Sequence, residues 1–241
     1  MALVIDFTRA FSLVQEETKV KIWAALFSLA MALPGGVWIL LGEEGAPIPE
    51  VSASRTTKVA VRYRVDPERS RFMVRAHRGG LAWFKGHDHH IAVREFSGTA
   101  ELMPDALNPA SLNMTINAAS LEETSDVFTP EQKGIINKEL DEIVLESAKF
   151  PEITFRSTDV TGEMKNGAFD VKIGGDITLH GVTRHIVIPA TVSLQGADLH
   201  ATGKFTLNRG DFNIKATSAF HGLVRVKGKL SFTFDIIGQR I

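Results

Sequence analysis

The sequence predicts a mainly β protein: about eight antiparallel strands forming a closed barrel or a sandwich, one helix beside them, and a hydrophobic helix at the N-terminus. Three observations carry this prediction. From Val59 onward, apolar residues recur at every second position, the period of a strand with one dry and one wet face. Turn-forming pairs (Asn166-Gly167, His180-Gly181, Gln195-Gly196) separate these runs. A single stretch, "TPEQKGIINKELDEIVLESA" from Thr129 to Ala148, follows a helical period instead.

The strands are expected, in order, over 59–65, 70–77, 90–103 and 111–118, then as a four-stranded meander over 152–207, and last over 223–237. "RFMVRAH" places Phe72, Val74 and Ala76 on one face, and "SLNMTINA" places Leu112, Met114, Ile116 and Ala118 on one face. In the meander, "FDVKIGGDITL" aligns Phe169, Val171, Ile173, Ile177 and Leu179 against Asp170, Lys172 and Asp176. "HIVIPATVSL" offers Ile186, Ile188, Ala190, Val192 and Leu194, and "LHATGKFTL" offers Leu199, Ala201, Phe205 and Leu207. The last strand sets Val224, Val226, Leu230, Phe232 and Phe234 opposite Arg225, Lys227 and Lys229. Such one-sided strands are an antiparallel habit.

The helical stretch carries its own start and stop signals. Thr129 suits the N-cap, Pro130 the first helical position, and Gln132 completes a capping box. Ile136, Leu140, Ile143 and Ser147 fall at helical spacing, and Pro151 prevents continuation. About four turns of helix are expected, covering an open end or a flank of the sheet.

Ile22 to Leu41 contains no charge, follows Lys19 and Lys21, and precedes Glu43 and Glu44. Twenty apolar residues at helical rise match a bilayer core of about 30 Å, and basic-before, acidic-after flanks favour an N-terminus left in the cytoplasm. Residues 1–42 are therefore read as an export signal or membrane anchor. The small-residue motif Val51 to Ala53 is a candidate cleavage site, and 43–58 reads as a linker. The folded domain then occupies 59–238. It is expected in the periplasm or outside the cell, held to the inner membrane by residues 22–41 if that segment is not cleaved.

The 241 residues carry a net charge of −1 and no cysteine. No basic cluster marks a nucleic-acid partner. Disulfides, thiolate catalysis and cysteine-type metal sites are excluded. Oligomeric state is not fixed, and a homodimer stays open.

"FKGHDHHIAV" concentrates His87, His89 and His90 around Asp88, in a chain with eight histidines. On a strand, His87 and His89 would share a face and could share a metal, with Asp88 pointing away and His77 a third ligand. His77, His87, His89 and His90 could equally form a polar rim for a ligand headgroup, or simple structural hydrogen bonds. His180 and His185 flank a turn at one end of the barrel. A hydrolase combining Asp88 and His89 with Ser70 or Ser97 has no nucleophile motif behind it. Arg209 and Asp211 read as a solvated turn pair or a closing corner.

"KFPEITFRST" (Lys149 to Thr158), "GGDITLHGVTRHIVIP" (Gly174 to Pro189), "FTLNRGDFNI" (Phe205 to Ile214) and the opening "DPERSRFMVRAH" (Asp66 to His77) resemble the recurrent motifs of the YceI-like family, in order, over about residues 60–238. Arg69 stands where the family often has His, and "GIINKEL" (Gly134 to Leu140) replaces its usual Arg-Asp and His-Leu pairs. The resemblance implies a lipocalin-like antiparallel barrel, exported to the periplasm, that takes up a long-chain isoprenoid or other amphiphilic lipid without catalytic residues or cofactor. Under that implication the tail would meet Phe72, Val74, Phe96, Met114, Ile116 and Phe155, then Val171, Ile177, Ile186 and Ile188, and finally Phe205, Phe232 and Phe234. Periodicity alone leaves these side chains free to fill a solid core or to line a cavity. The competing function is a metal- or redox-linked accessory protein using His87 and His89.

Overall fold

A computed structural model describes residues 59–80, 83–215, 218–219 and 224–241. The hydrophobic run at 22–41, its reading as signal or anchor, the Val51–Ala53 motif and the 43–58 linker lie outside the described residues.

The strands are β1 (Val61–Gly79), β2 (His89–Val93), β3 (Phe96–Met103), β4 (Ala106–Asn117), β5 (Leu121–Glu123), β6 (Glu152–Lys165), β7 (Ala168–Leu179), β8 (Val182–Gln195), β9 (Asp198–Asn208), β10 (Ser218–Ala219) and β11 (Val224–Arg240). Antiparallel pairing runs β1-β3-β4-β6-β7-β8-β9-β11 and returns from β11 to β1. The result is a closed eight-stranded barrel, the size that side chains can fill or that can hold one small ligand. Closure leaves the eight wall strands without a free edge. Of the two architectures the strand pattern allows, the barrel is the one formed.

The meander of 152–207 is β6 to β9; two of its turns fall at the foreseen pairs, and the third, over 196–197, lies one residue beyond Gln195-Gly196. Asn166 and Gly167 both have positive φ (50° and 82°), as do His180 and Gly181 (52° and 72°), the requirement of a two-residue hairpin matched to strand twist. Elsewhere the boundaries differ. The expected strands 59–65 and 70–77 are one strand, β1, interrupted by a bulge. Asp66 pairs with Ile237 and Arg71 with Asp235, so five steps on β1 face two on β11. Asp66 Oδ1 accepts from the backbone N–H groups of Glu68 and Arg69, and Ser70 Oγ accepts from Ile237 N at 2.9 Å. Three extra residues are an odd number, so the inward set changes parity, from Tyr63 and Val65 to Phe72 and Val74. The expected strand 90–103 divides into β2 and β3.

The helix is α1 (Pro130–Glu139), followed by a wider turn over Leu140–Val144. The capping box forms as predicted: Thr129 Oγ1 accepts from Gln132 N, and Gln132 Oε1 accepts from Thr129 N. The inward face does not follow the simple helical count. Leu145 N donates to Leu140 O, an i→i+5 bond that adds a residue to the turn. Ile143 is thereby rotated outward and is 60% exposed, while Val144 takes the inward place. Among the described residues, no helix is long and apolar enough to cross a membrane.

The barrel has two unlike ends. At the hairpin end, residues 104–105, 166–167 and 196–197 make two-residue connections. The other end carries the 180–181 turn and the three long connections, β1–β2, β4–β6 (with α1) and β9–β11. Call this the loop end.

Candidate functional site

The barrel is hollow. Inside the hairpin end lies a cavity of about 150 Å³, its wall including Tyr63, Leu102, Met114, Phe155, Val171 and Phe234. Inside the loop end lies a larger one of about 540 Å³, bounded by Val74, Ile91, Phe232, Leu207, Ile136 of α1 and Leu140 of the wider turn after it. Phe72, Ile116, Ile153, Ile177 and Phe205 border both, so the two chambers are in series across one apolar constriction. The larger falls in the ordinary range of ligand pockets, and the smaller matches a cavity that stays dry and accepts a benzene-sized guest.

Small residues help keep the interior open. Phe234 pairs across the sheet with Gly203, where a Cβ would collide with its ring. A Cβ at Gly175 would stand 2.6 Å from Phe155 Cζ. Both rings lie against backbone.

The predicted lining residues divide as follows. Phe72, Val74, Met114, Ile116, Phe155 and Val171 border one cavity or both, as do Ile177, Ile188, Phe205, Phe232 and Phe234. Phe96 and Ile186 border neither. Phe96 sits edge-on behind Phe72, centroids 6.3 Å apart, and Ile186 packs into the surrounding core. Phe205 stacks on Phe232 at 4.8 Å.

Strand parity separates the four rim histidines. His87 and His89 reach the wall of the larger cavity. His77 faces outward, its Nε2 3.1 Å from Ser231 Oγ and its Nδ1 3.3 Å from Asp88. His90, paired with the outward Arg75, is exposed. The shared-metal geometry is not formed. Phe128 packs against both candidate ligands, stacked on His89 at 5.2 Å and edge-on to His87 at 5.7 Å. Among the described residues, no group of three or more His, Asp or Glu side chains is placed to hold a metal. His180 Nε2 is 2.7 Å from Glu146, at the loop end, and His185 pairs with Asp176 on the outside.

Asp88 is a structural anchor. Its Oδ1 accepts from Arg78 N at 2.9 Å and its Oδ2 from Arg75 Nη2 at 2.8 Å. Burial pushes its carboxyl up, but the Arg78 N–H, Arg75 and His77 outweigh burial and bring it down to about 2. His89 and Ser70 have other partners, so the imagined catalytic grouping does not assemble: Ser70 is committed to the β1 bulge.

Sequence reasoning missed Glu123, 1% exposed on the short strand β5. It takes His89 Nδ1 at 2.7 Å and the N–H groups of His90 and Ser125 at 3.1 and 2.8 Å. Burial raises its pKa, and these contacts together lower it below the usual carboxylate range. Asn137 of α1 accepts from Glu123 N at 2.8 Å, so the same strand fixes the helix over the cavity. Phe212 was missed too. It is 1% exposed within a 3-10 turn, Arg209–Phe212, whose Asn208 side chain caps Gly210 N. A lone carboxylate and a lone Phe within irregular chain leave no periodic trace.

Arg209 does not pair with its neighbour as a solvated turn would. Its Nη1 donates to Ile214 O at 2.8 Å, bracing the corner after β9. It also reaches the larger cavity, with Arg78, Lys85, Lys215 and Arg225.

The YceI-like domain profile matches residues 63–236. Protein YceI of Escherichia coli is 31% identical over 183 residues, covering 71% of this chain and 85% of the relative. Protein YceI of Salmonella arizonae is 32% identical over 168 residues, covering 65% and 78%. Two solved structures share the fold. Burkholderia cenocepacia BcnA has a TM-score of 0.55 at 18% identity, covering 72% of this chain and 98% of BcnA. A polyisoprenoid-binding domain from Saccharophagus degradans, implicated in plant cell wall breakdown, has a TM-score of 0.53 at 14% identity, covering 75% and 99%. With the profile spanning most of the barrel and relatives of this similarity, the chain belongs to the YceI-like family.

Proposed function

We propose that the protein is an exported, non-enzymatic carrier that shields the tail of a long isoprenoid or other amphiphilic lipid inside the barrel. One observation carries this reading: two chambers in series, about 540 and 150 Å³, the smaller apolar and the larger mostly so, joined at a constriction of five apolar side chains. A globular interior of this size is ordinarily packed solid. The tail would enter at the loop end and extend past Phe72 and Phe205 toward the hairpin end. Each buried methylene contributes about 0.8 kcal/mol, so a tail of ten or so carbons supports micromolar binding with no polar contact. The fold shared with a polyisoprenoid-binding domain agrees with such a ligand.

Native mass spectrometry of the purified full chain, before and after incubation with a long-chain isoprenoid alcohol, tests the proposal. A one-to-one adduct of the alcohol's mass is expected. Absence of any adduct, either endogenous or added, rejects the carrier. Export is tested separately: protease added to intact cells whose outer layer has been made permeable should degrade the domain.

A further inference from the structure

We infer that the loop-end chamber recognises an anionic headgroup, so that the preferred cargo is a lipid phosphate or carboxylate and not a neutral alcohol. The inference rests on the carrier reading and adds the chemistry of the head. Arg78, Arg209 and Arg225 reach this chamber from β1, from the turn after β9 and from β11, neighbours in the barrel wall. Lys85 and Lys215 stand beside them. Against these five cations, the described wall carries one carboxylate, Glu139. The asymmetry is local, because the whole chain has a net charge of −1.

A second observation points inward. Arg209 Nε is buried and has no hydrogen-bond partner among the described residues, although its Nη1 is engaged by Ile214 O. A buried guanidinium N–H calls for an acceptor. Anionic oxygens would supply one, and the fork of an arginine fits both phosphate and carboxylate. Placed there, the head would sit at the polar margin while the tail passes the constriction. Of the histidines first read as the rim, His89 is held by Glu123 and covered by Phe128.

The test compares dodecyl phosphate, dodecanoate and dodecanol, each below its micelle concentration, by calorimetric titration of the full chain. At least one of the two anions should bind roughly tenfold or more tightly than the alcohol, and this advantage should shrink as salt is raised; the tighter anion identifies the head. Arg209→Gln should remove most of the advantage of the anion over dodecanol. Because Arg209 also braces a corner, the exposed pair Lys85→Gln with Lys215→Gln provides a second readout and should reduce the salt-dependent part of the advantage. Equal binding of all three ligands, or an equal loss for all three in both variants, overturns the inference and leaves the carrier standing. Failure of all three to bind counts against the carrier itself.

Discussion

The two ends of the barrel are built by different means. At the hairpin end, short turns hold long strands in strict alternation, and the enclosed chamber is apolar and small. At the loop end, hydrogen bonds and ion pairs hold irregular chain around a chamber more than three times as large, with charges on its wall. One end is fixed by repeated local geometry, the other by individual side chains such as Asp88 and Glu123. The comparison predicts that the hairpin end resists changes of pH but not loss of volume, and the loop end the reverse.

The largest expected effect is at the hairpin end. Phe169 is 4% exposed and packed in the core, away from both cavities. Phe169→Ala should cost about 3–5 kcal/mol in urea unfolding. Leu140→Ala, which trims a half-buried side chain already bordering the large chamber, should cost less than half as much. Equal losses would mean that the two ends are equally well packed.

Asp88 gives the intermediate effect, at the loop end. Its carboxyl is more acidic folded than unfolded, about 2 against an ordinary 3.8. The stabilisation it supplies is therefore present above pH 3.8 and is lost as pH falls through 2. Asp88→Asn should reduce stability by about 2 kcal/mol at neutral pH and by little near pH 2. Thermal melts at the two pH values check this, and a pH-independent loss would contradict the assignment.

The smallest effect returns to the hairpin end. Gly167 sits at φ 82° with nothing near a Cβ. Gly167→Ala should cost about 1 kcal/mol from backbone strain alone. A cost above 3 kcal/mol would show that the turn is packed and not merely shaped.

The same division explains what the sequence made legible. Strand period, turn pairs and the capping box are local, repeated signals, so the meander, the last strand and the start of α1 follow from them. The bulge at Asp66–Arg71 is local as well, but its effect on parity depends on pairing with β11, far along the chain. At the candidate site, periodicity identified most of the apolar wall and could not say that the wall encloses space. It placed His87, His89, His77 and His90 together, whereas only the strand pairings tell which side of the wall each occupies. Arg225 was read as part of a solvated face. At the rim, where β11 begins, it also reaches the cavity.

The berths at Gly203 and Gly175 have a consequence for how such a barrel could change. The bore is set as much by the absence of two methyl groups as by the bulky rings in view. One added carbon at Gly203 would displace the Phe234 ring from its seat, and the displacement would fall within the smaller chamber. The depth of the bore is thus governed from behind the lining, at positions that do not border it.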